Sequence, residues 1–376
     1  MNIKIDKEFS QNPEALKTLI EQIYYIDMGI EKCEYNNNNL EIFFLDSTSI
    51  DEENFKSEIS RIESSILRSF DKVVTKLIFE NEGQCTYFSD PMKELISSKQ
   101  ASENYPGVFA LKGKIVSDIK LLDNFFYKYA IGIGAEEQFF HQILPTESLI
   151  KNNYISSFPQ HPIFASSIVR DSKIISKISE SSSQKPILPL HEWLDNKMDT
   201  HDQVLSPTVC YHCFETLRNQ ELTETEARFT AIASCHRNES RNITGLSRLQ
   251  AFTMREIIFI GLEKQVESER QNILSHCKLF LQNINLKFRV VTASDPFFAG
   301  GQDMKRAYQT ALALKYEIQA YIPHSKSWLS IASFNNHQQS LTKHYNIQSE
   351  SNIELYSGCV GYGYERMIYA IYSQFG

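Results

Sequence analysis

The chain has 376 residues, 42% of them hydrophobic, and a formal net charge of −8 at neutral pH. That length supports one large core or two domains, no apolar run approaches the ~20 residues that cross a bilayer, and an acidic balance opposes binding to nucleic-acid phosphates, which depends on Lys and Arg. The start, Met1-Asn2-Ile3-Lys4-Ile5-Asp6, places charges where a signal peptide is apolar, and seven scattered cysteines suit reduced thiols, so a cytoplasmic location is expected.

Along the chain, Ile23 to Tyr25 and Leu40 to Leu45 predict two strands on either side of the turn-forming Asn36-Asn37-Asn38-Asn39. Asp51 to Phe70 has apolar residues at helical spacing, and Val73 to Phe79 reads as a strand. Residues 1–105 are therefore expected to form a small α+β domain, which with about 20 acidic against 11 basic side chains holds the excess charge. Leu121 to Ile143 is helical in pattern but interrupted by Gly132 and Gly134; Ser179 to Lys185 is a polar, Ser-rich loop; Glu215 to Ala227 is a helix or loop. Leu262 to Leu281 predicts a long amphipathic helix and Gly301 to Leu314 a second, with Asp303, Lys305, Arg306 and Gln309 at polar positions. Strands alternating with few helices over 106–376 predict an α+β fold, not a doubly wound parallel sheet.

Two stretches carry chemistry. In Cys235-His236-Arg237-Asn238-Glu239 and Arg248-Leu249-Gln250-Ala251-Phe252-Thr253-Met254-Arg255-Glu256, an antiparallel hairpin is expected, with Arg237 and Glu239 sharing a face because strand side chains alternate. Arg237 there suits an α-phosphate, Glu239 an adenine amino group or the substrate, and Phe252 a base. In Ser357-Gly358-Cys359-Val360-Gly361-Tyr362-Gly363-Tyr364-Glu365-Arg366, a strand with glycines leads into a helix that starts with a cation, a layout for a nucleoside triphosphate. Taken singly, each also suits a charged hairpin or a packed strand-turn-helix.

Together the two stretches resemble motifs 2 and 3 of class II aminoacyl-tRNA synthetases, and within them the amino acid:carrier protein ligases, relatives of methanogen-type seryl-tRNA synthetases. Pro145, Tyr154-Ile155-Ser156-Ser157-Phe158-Pro159, Ser206-Pro207-Thr208-Val209-Cys210-Tyr211, Ser294-Asp295-Pro296-Phe297-Phe298, Leu314-Lys315-Tyr316-Glu317 and Ser333-Phe334-Asn335-Asn336-His337 resemble further family segments, the fourth and fifth in its central helical region and Ser206–Tyr211 as its substrate-site strand. The resemblance covers roughly residues 106–376. It implies a six- or seven-stranded antiparallel sheet flanked by helices, a homodimer, and activation of a small amino acid as its adenylate.

It further implies a zinc ion on Cys210, Glu256 and Cys359, with Cys213 the first substitute, and ATP with magnesium on Arg237, Glu239, Phe252, Arg366 and Glu317. Arg237 and Arg366 are the expected catalytic pair, and Asn335 is expected to touch the substrate. The acceptor implied is the phosphopantetheine thiol of an acidic carrier protein docking at Lys305 and Arg306, and tRNA is disfavoured. A seryl-tRNA synthetase and a non-catalytic paralogue are the alternatives. Ser330 stands where the synthetases often carry an acidic metal-binding residue, and Gln338-Gln339-Ser340-Leu341-Thr342 departs from the ligase pattern.

Overall fold

A computed structural model describes residues 1–36, 38–45, 50–70, 75–182, 198–239, 243–293, 309 and 312–376. Residues 1–70 have a core of their own. Strands β1 (Asn2–Lys4), β2 (Ile30–Asn36) and β3 (Asn39–Phe44) form a sheet in the order β1-β3-β2. It is covered by helices α1 (Glu8–Gln11), α2 (Pro13–Ile23) and α3 (Glu52–Phe70). Helix α2 starts where Asn12 Oδ1 accepts the amide of Ala15 at 3.1 Å and proline occupies the first turn. Ala15, Leu19 and Ile23, four apart, make one buried row against Phe55, Ile59, Ile62 and Ile66 of α3. The strand expected at 23–25 is instead the end of α2, because Ile23 completes that row and the chain then turns.

The boundary expected at 105 is not where the cores part. Strand β4 (Leu77–Asn81) pairs with a strand some two hundred residues later, Phe79 opposite Val290. Helix α4 (Pro91–Ser97), capped by Asp90, and the hairpin β5 (Ala101–Tyr105) and β6 (Val108–Leu111) follow, and Met92, Leu95 and Ala101 lie in the larger core. A division at 105 would cut through the β5–β6 hairpin.

Helix α5 (Lys114–Gly132) leads to β7 (Glu136–Glu137), β8 (Ile143–Pro145), α6 (Thr146–Lys151), α7 (Tyr154–Ser157), β9 (Phe164–Ile168), α8 (Ser172–Ser182) and β10 (Met198–Leu205). Residues 179–182 thus end a helix instead of starting a loop. Then come α9 (Cys210–Thr216), β11 (Glu221–Leu222), β12 (Ala227–His236), β13 (Ala251–Gly261) and α10 (Glu263–Asn283). The chain ends with β14 (Phe288–Thr292), β15 (Lys315–Ile322), β16 (Ser327–Gln338), α11 (Ser340–His344), β17 (Gln348–Ser349), β18 (Tyr356–Gly363) and α12 (Tyr364–Phe375). Cys210 opens a helix and does not continue a strand. The four residues from Leu314 enter a strand, not a helix, because Tyr316, Ile318, Ala320 and Ile322 alternate at period two.

The main sheet has eight strands in the order β4-β14-β15-β16-β18-β13-β12-β7, more than the six or seven expected, and every pairing is antiparallel except β12 with β7. Register assigns its faces. Ile257 opposite Val360, Arg255 opposite Tyr362 and Ala332 opposite Tyr362 put one face into the core shared with α5, α10 and α12. Behind that face Asp123 of α5 takes Arg255 Nε at 2.5 Å, Arg255 Nη2 at 3.0 Å and the Tyr364 hydroxyl at 2.7 Å. Three elements are locked there by one buried charged network.

Candidate active site

The other face collects the chemistry. Glu256 lies opposite Gly361, Asn335 opposite Cys359, Ser333 opposite Gly361 and Glu317 opposite Ser333, so residues far apart in sequence share one side of four neighbouring strands. Gly361 leaves an open floor: an added Cβ would meet Glu256, Met254 and Ser333 at an ordinary 3.6 Å. Gly358 is a glycine for a different reason, since a Cβ there would lie 2.4 Å from the Phe259 ring and 2.7 Å from the Asn335 carbonyl. Gly358→Ala is therefore expected to cost about 2 kcal/mol in urea unfolding, whereas Gly361→Ala unfolds near wild type and weakens substrate binding.

On this floor the Sγ atoms of Cys210 and Cys359 and a carboxylate oxygen of Glu256 all lie within 4.8 Å of one another, fully buried. Both oxygens of Glu256 are oriented: Oε1 accepts from Thr208 Oγ1 at 2.6 Å and the Val209 amide at 3.1 Å, Oε2 from the Cys210 amide at 3.0 Å. Burial, and then Cys359, push its pKa up to about 7. Cys359 is lowered and Cys210 raised by the hydrogen bond between them, with His337 and Asn335 also favouring the Cys359 thiolate. Two thiols and a fixed carboxylate are a donor set that fits zinc, and three protein ligands leave a fourth position. Cys213 packs in the apolar cluster around α9, as does Phe214, and is not part of the trio.

Asn335 Nδ2 donates to Cys359 Sγ at 3.5 Å, which places it beside that trio. Past the end of β12, Arg237 Nε donates to the Pro207 carbonyl at 3.1 Å and its guanidinium lies 5.1 Å from the Phe252 ring centre. Glu239, 5% exposed, accepts from Arg248 Nε at 2.7 Å; burial opposes its charge, but Arg248, His161 and Arg366 outweigh it and lower its pKa. Arg366 Nε donates to the Ser247 carbonyl at 2.8 Å. Its neighbour Glu365 receives the Thr253 amide on both oxygens, at 3.0 and 2.9 Å, which pins α12 to β13.

Glu317 is on the site face, where its carboxylate is already engaged. It pairs with Lys315 at 3.2 Å, accepts from Ser330 Oγ and lies 3.4 Å from Gln319 Nε2. Magnesium is held through one or two uncommitted carboxylates along with phosphates and water. Among the described residues the Glu317 carboxylate faces Lys315 and a serine stands at 330, so a magnesium ion arriving with ATP would have to displace Lys315 from Glu317. Lys305, Arg306 and the segment 294–298 lie outside the described residues.

Three residues without an assigned role in the sequence join the site. Arg248 is four residues before Phe252, a spacing that could have marked it. Tyr154 opens a stretch that resembles a family segment, whereas His161 carries no such signal; the His161 ring is 3.3 Å from the Tyr154 hydroxyl, and its carbonyl accepts the Asn238 amide at 2.8 Å. Burial, and then Arg237, hold His161 down to about 4; burial does the same for His212. A histidine lowered in the fold from about 6.5 binds its proton first in the unfolded chain, so stability is intact above pH 6.5 and is lost as pH falls toward 4. His161→Gln is expected to lose ~2 kcal/mol less than wild type between pH 7 and pH 4.5 in urea melts, and equal losses would refute this.

Residues 193–375 match the family model of the tRNA synthetase class II core domain (G, H, P, S and T). A type-2 serine–tRNA ligase of Methanopyrus kandleri is 24% identical over 265 residues, covering 65% of this chain and 49% of its own length. An amino acid–[acyl-carrier-protein] ligase 1 of Bradyrhizobium diazoefficiens is 26% identical over 290 residues, covering 77% and 86%. The chain thus spans about half the length of the former. Among solved structures, M. kandleri SerRS in complex with A. aeolicus tRNASec superposes with a TM-score of 0.72 at 18% identity, covering 92% of this chain and 70% of that one. The hairpin, the terminal strand-helix and the antiparallel strands between them are accounted for together: residues 193–375 carry a tRNA synthetase class II core domain.

Proposed function

We propose that the protein activates a small amino acid with ATP to an aminoacyl adenylate and passes the acyl group to the thiol of a carrier protein. The observation that carries the activation step is the gathering of Cys210, Glu256 and Cys359, with Arg237 near enough to feel the charge of Glu256 and Arg366 near enough to feel those of Arg237 and Glu239. Zinc, when bound, would offer its fourth position to the neutral α-amino group of the substrate. Asn335, hydrogen-bonded to Cys359, would stand beside the bound amino acid.

The remaining work is positioning and charge neutralisation. Arg237, braced by Pro207 and Phe252, holds the α-phosphate while a carboxylate oxygen of the amino acid forms a bond to phosphorus and the bond to pyrophosphate breaks. Arg366 takes the charge of the leaving pyrophosphate at the far end. Glu239 stays ionised and accepts a hydrogen bond from the adenine amino group.

The carrier as acceptor is supported by the ligase relative, which aligns along 86% of its own length. The acidic first domain is also a poor surface for RNA phosphates. One observation favours tRNA as a second reading: the superposition on the serine–tRNA ligase structure extends over 92% of this chain. The described cysteines form no disulfide, and no described helix is long and apolar enough to cross a membrane. A homodimer would be formed about α5 and the segment near Pro145, where Leu121 and Ile143 are exposed apolar side chains. The test is amino-acid-dependent ATP/pyrophosphate exchange on zinc-loaded protein, followed by transfer to a phosphopantetheinylated carrier or to tRNA. Exchange with no amino acid would refute the activity; transfer to tRNA alone would establish the second reading.

A further inference from the structure

Arg248 is gripped from two domains. Its Nε and Nη2 reach Glu239 Oε2, each at 2.7 Å, within the catalytic hairpin. Its Nη1 pairs with Glu21, which projects from α2 of the first core. Tyr25, just beyond α2, adds a hydrogen bond from its hydroxyl to the Asn238 carbonyl at 3.4 Å. The first core therefore docks on the hairpin that carries Arg237 and Glu239, through a carboxylate that enters the arginine group. Arg237, Arg248 and Arg366 are near enough for each of the other two to disfavour the charge of Arg366, after burial itself. Such a group suits a polyphosphate, and Glu21 already occupies one guanidinium edge of it.

We propose that Glu21 is an intramolecular competitor for the phosphate site, a latch by which the first domain closes on the nucleotide-binding hairpin and opens as phosphate takes Arg248. The inference rests on the nucleotide reading of the site. A phosphate oxygen and the Glu21 carboxylate seek the same Nη1 donor, and two anions at one donor repel. Glu239 remains bound to the other side of Arg248 in either state, so the arginine stays in place while its outer partner changes. The coupling is reciprocal: whatever draws the first domain away tightens nucleotide binding by the factor with which nucleotide loosens the domain.

The experiment titrates ATP and adenosine into full-length wild-type protein and Glu21→Gln, which keeps the shape of the side chain and removes its charge. Glu21→Gln is expected to bind ATP about fivefold more tightly, the order of a partly exposed ion pair, with adenosine affinity unchanged. In wild type, amide hydrogen exchange over residues 13–25 is expected to quicken when ATP is added. Equal or weaker ATP binding by Glu21→Gln, or a parallel change for adenosine, overturns the latch and leaves the nucleotide site standing. ATP binding by neither protein overturns both.

Discussion

Replacing Arg237 by alanine is expected to lower amino-acid-dependent ATP/pyrophosphate exchange by about 10³-fold, with a far smaller effect on folding. The size follows from what the side chain does. Its Nε bond to Pro207 and its stack on Phe252 fix the guanidinium before nucleotide arrives, so the protein does not reorganise as charge develops on the α-phosphate. Loss of one preorganised donor in such a site costs about 10² to 10³, and a full charge belongs at the upper end. Arg237→Lys keeps the charge but not the planar fork and should recover about tenfold of the loss. The check is exchange kinetics beside urea unfolding of both variants. Alanine retaining a tenth or more of wild-type exchange would remove Arg237 from the mechanism.

What was legible beforehand divides along a physical line. Arg237 and Glu239, two apart, and Cys359 with Arg366 in the terminal strand-helix are local patterns, and local patterns survive without knowledge of strand order. The joining of Glu256, Cys359, Asn335 and Glu317 on one face depends on the order β15-β16-β18-β13, which no neighbouring sequence states. There the family resemblance supplied the metal trio that spacing could not. The misplaced boundary has the same origin: β4 looks local but takes its partner from residues 288–291, so the first 105 residues do not share one core. Leu314 to Glu317, which the resemblance places in a central helical region, lead into a strand, and the period of two emerges only when Tyr316 to Ile322 are taken together. Glu317 shows a further limit. Its position on the site face agrees with a ligand role, but Lys315, two residues earlier on the same face, converts it into half of an ion pair.

The second large effect belongs to the metal trio. Protein purified without chelator is expected to hold about one zinc per chain, and Cys359→Ser to hold none, with exchange reduced by at least ~10²-fold. The oxygen of serine keeps nearly the volume of sulfur, so packing between β16 and β18 should persist, while a neutral hydroxyl is a poor replacement for a thiolate. Metal content by mass spectrometry gives a reading independent of turnover. Cys213→Ala is the discriminating control, because Cys213 sits three residues from Cys210 yet points into the apolar cluster with Phe214 and Ile258. That variant should keep its zinc and exchange while losing ~1 kcal/mol in urea unfolding, the cost of a small buried cavity. Removing zinc from wild type with chelator should abolish discrimination between an amino acid and its deaminated analogue in any remaining binding, since the amine then has no partner. If Cys213→Ala instead lost the metal and Cys359→Ser kept it, the site would be a helix-borne Cys-x2-Cys pair, and the shared sheet face would no longer explain how the substrate amine is held.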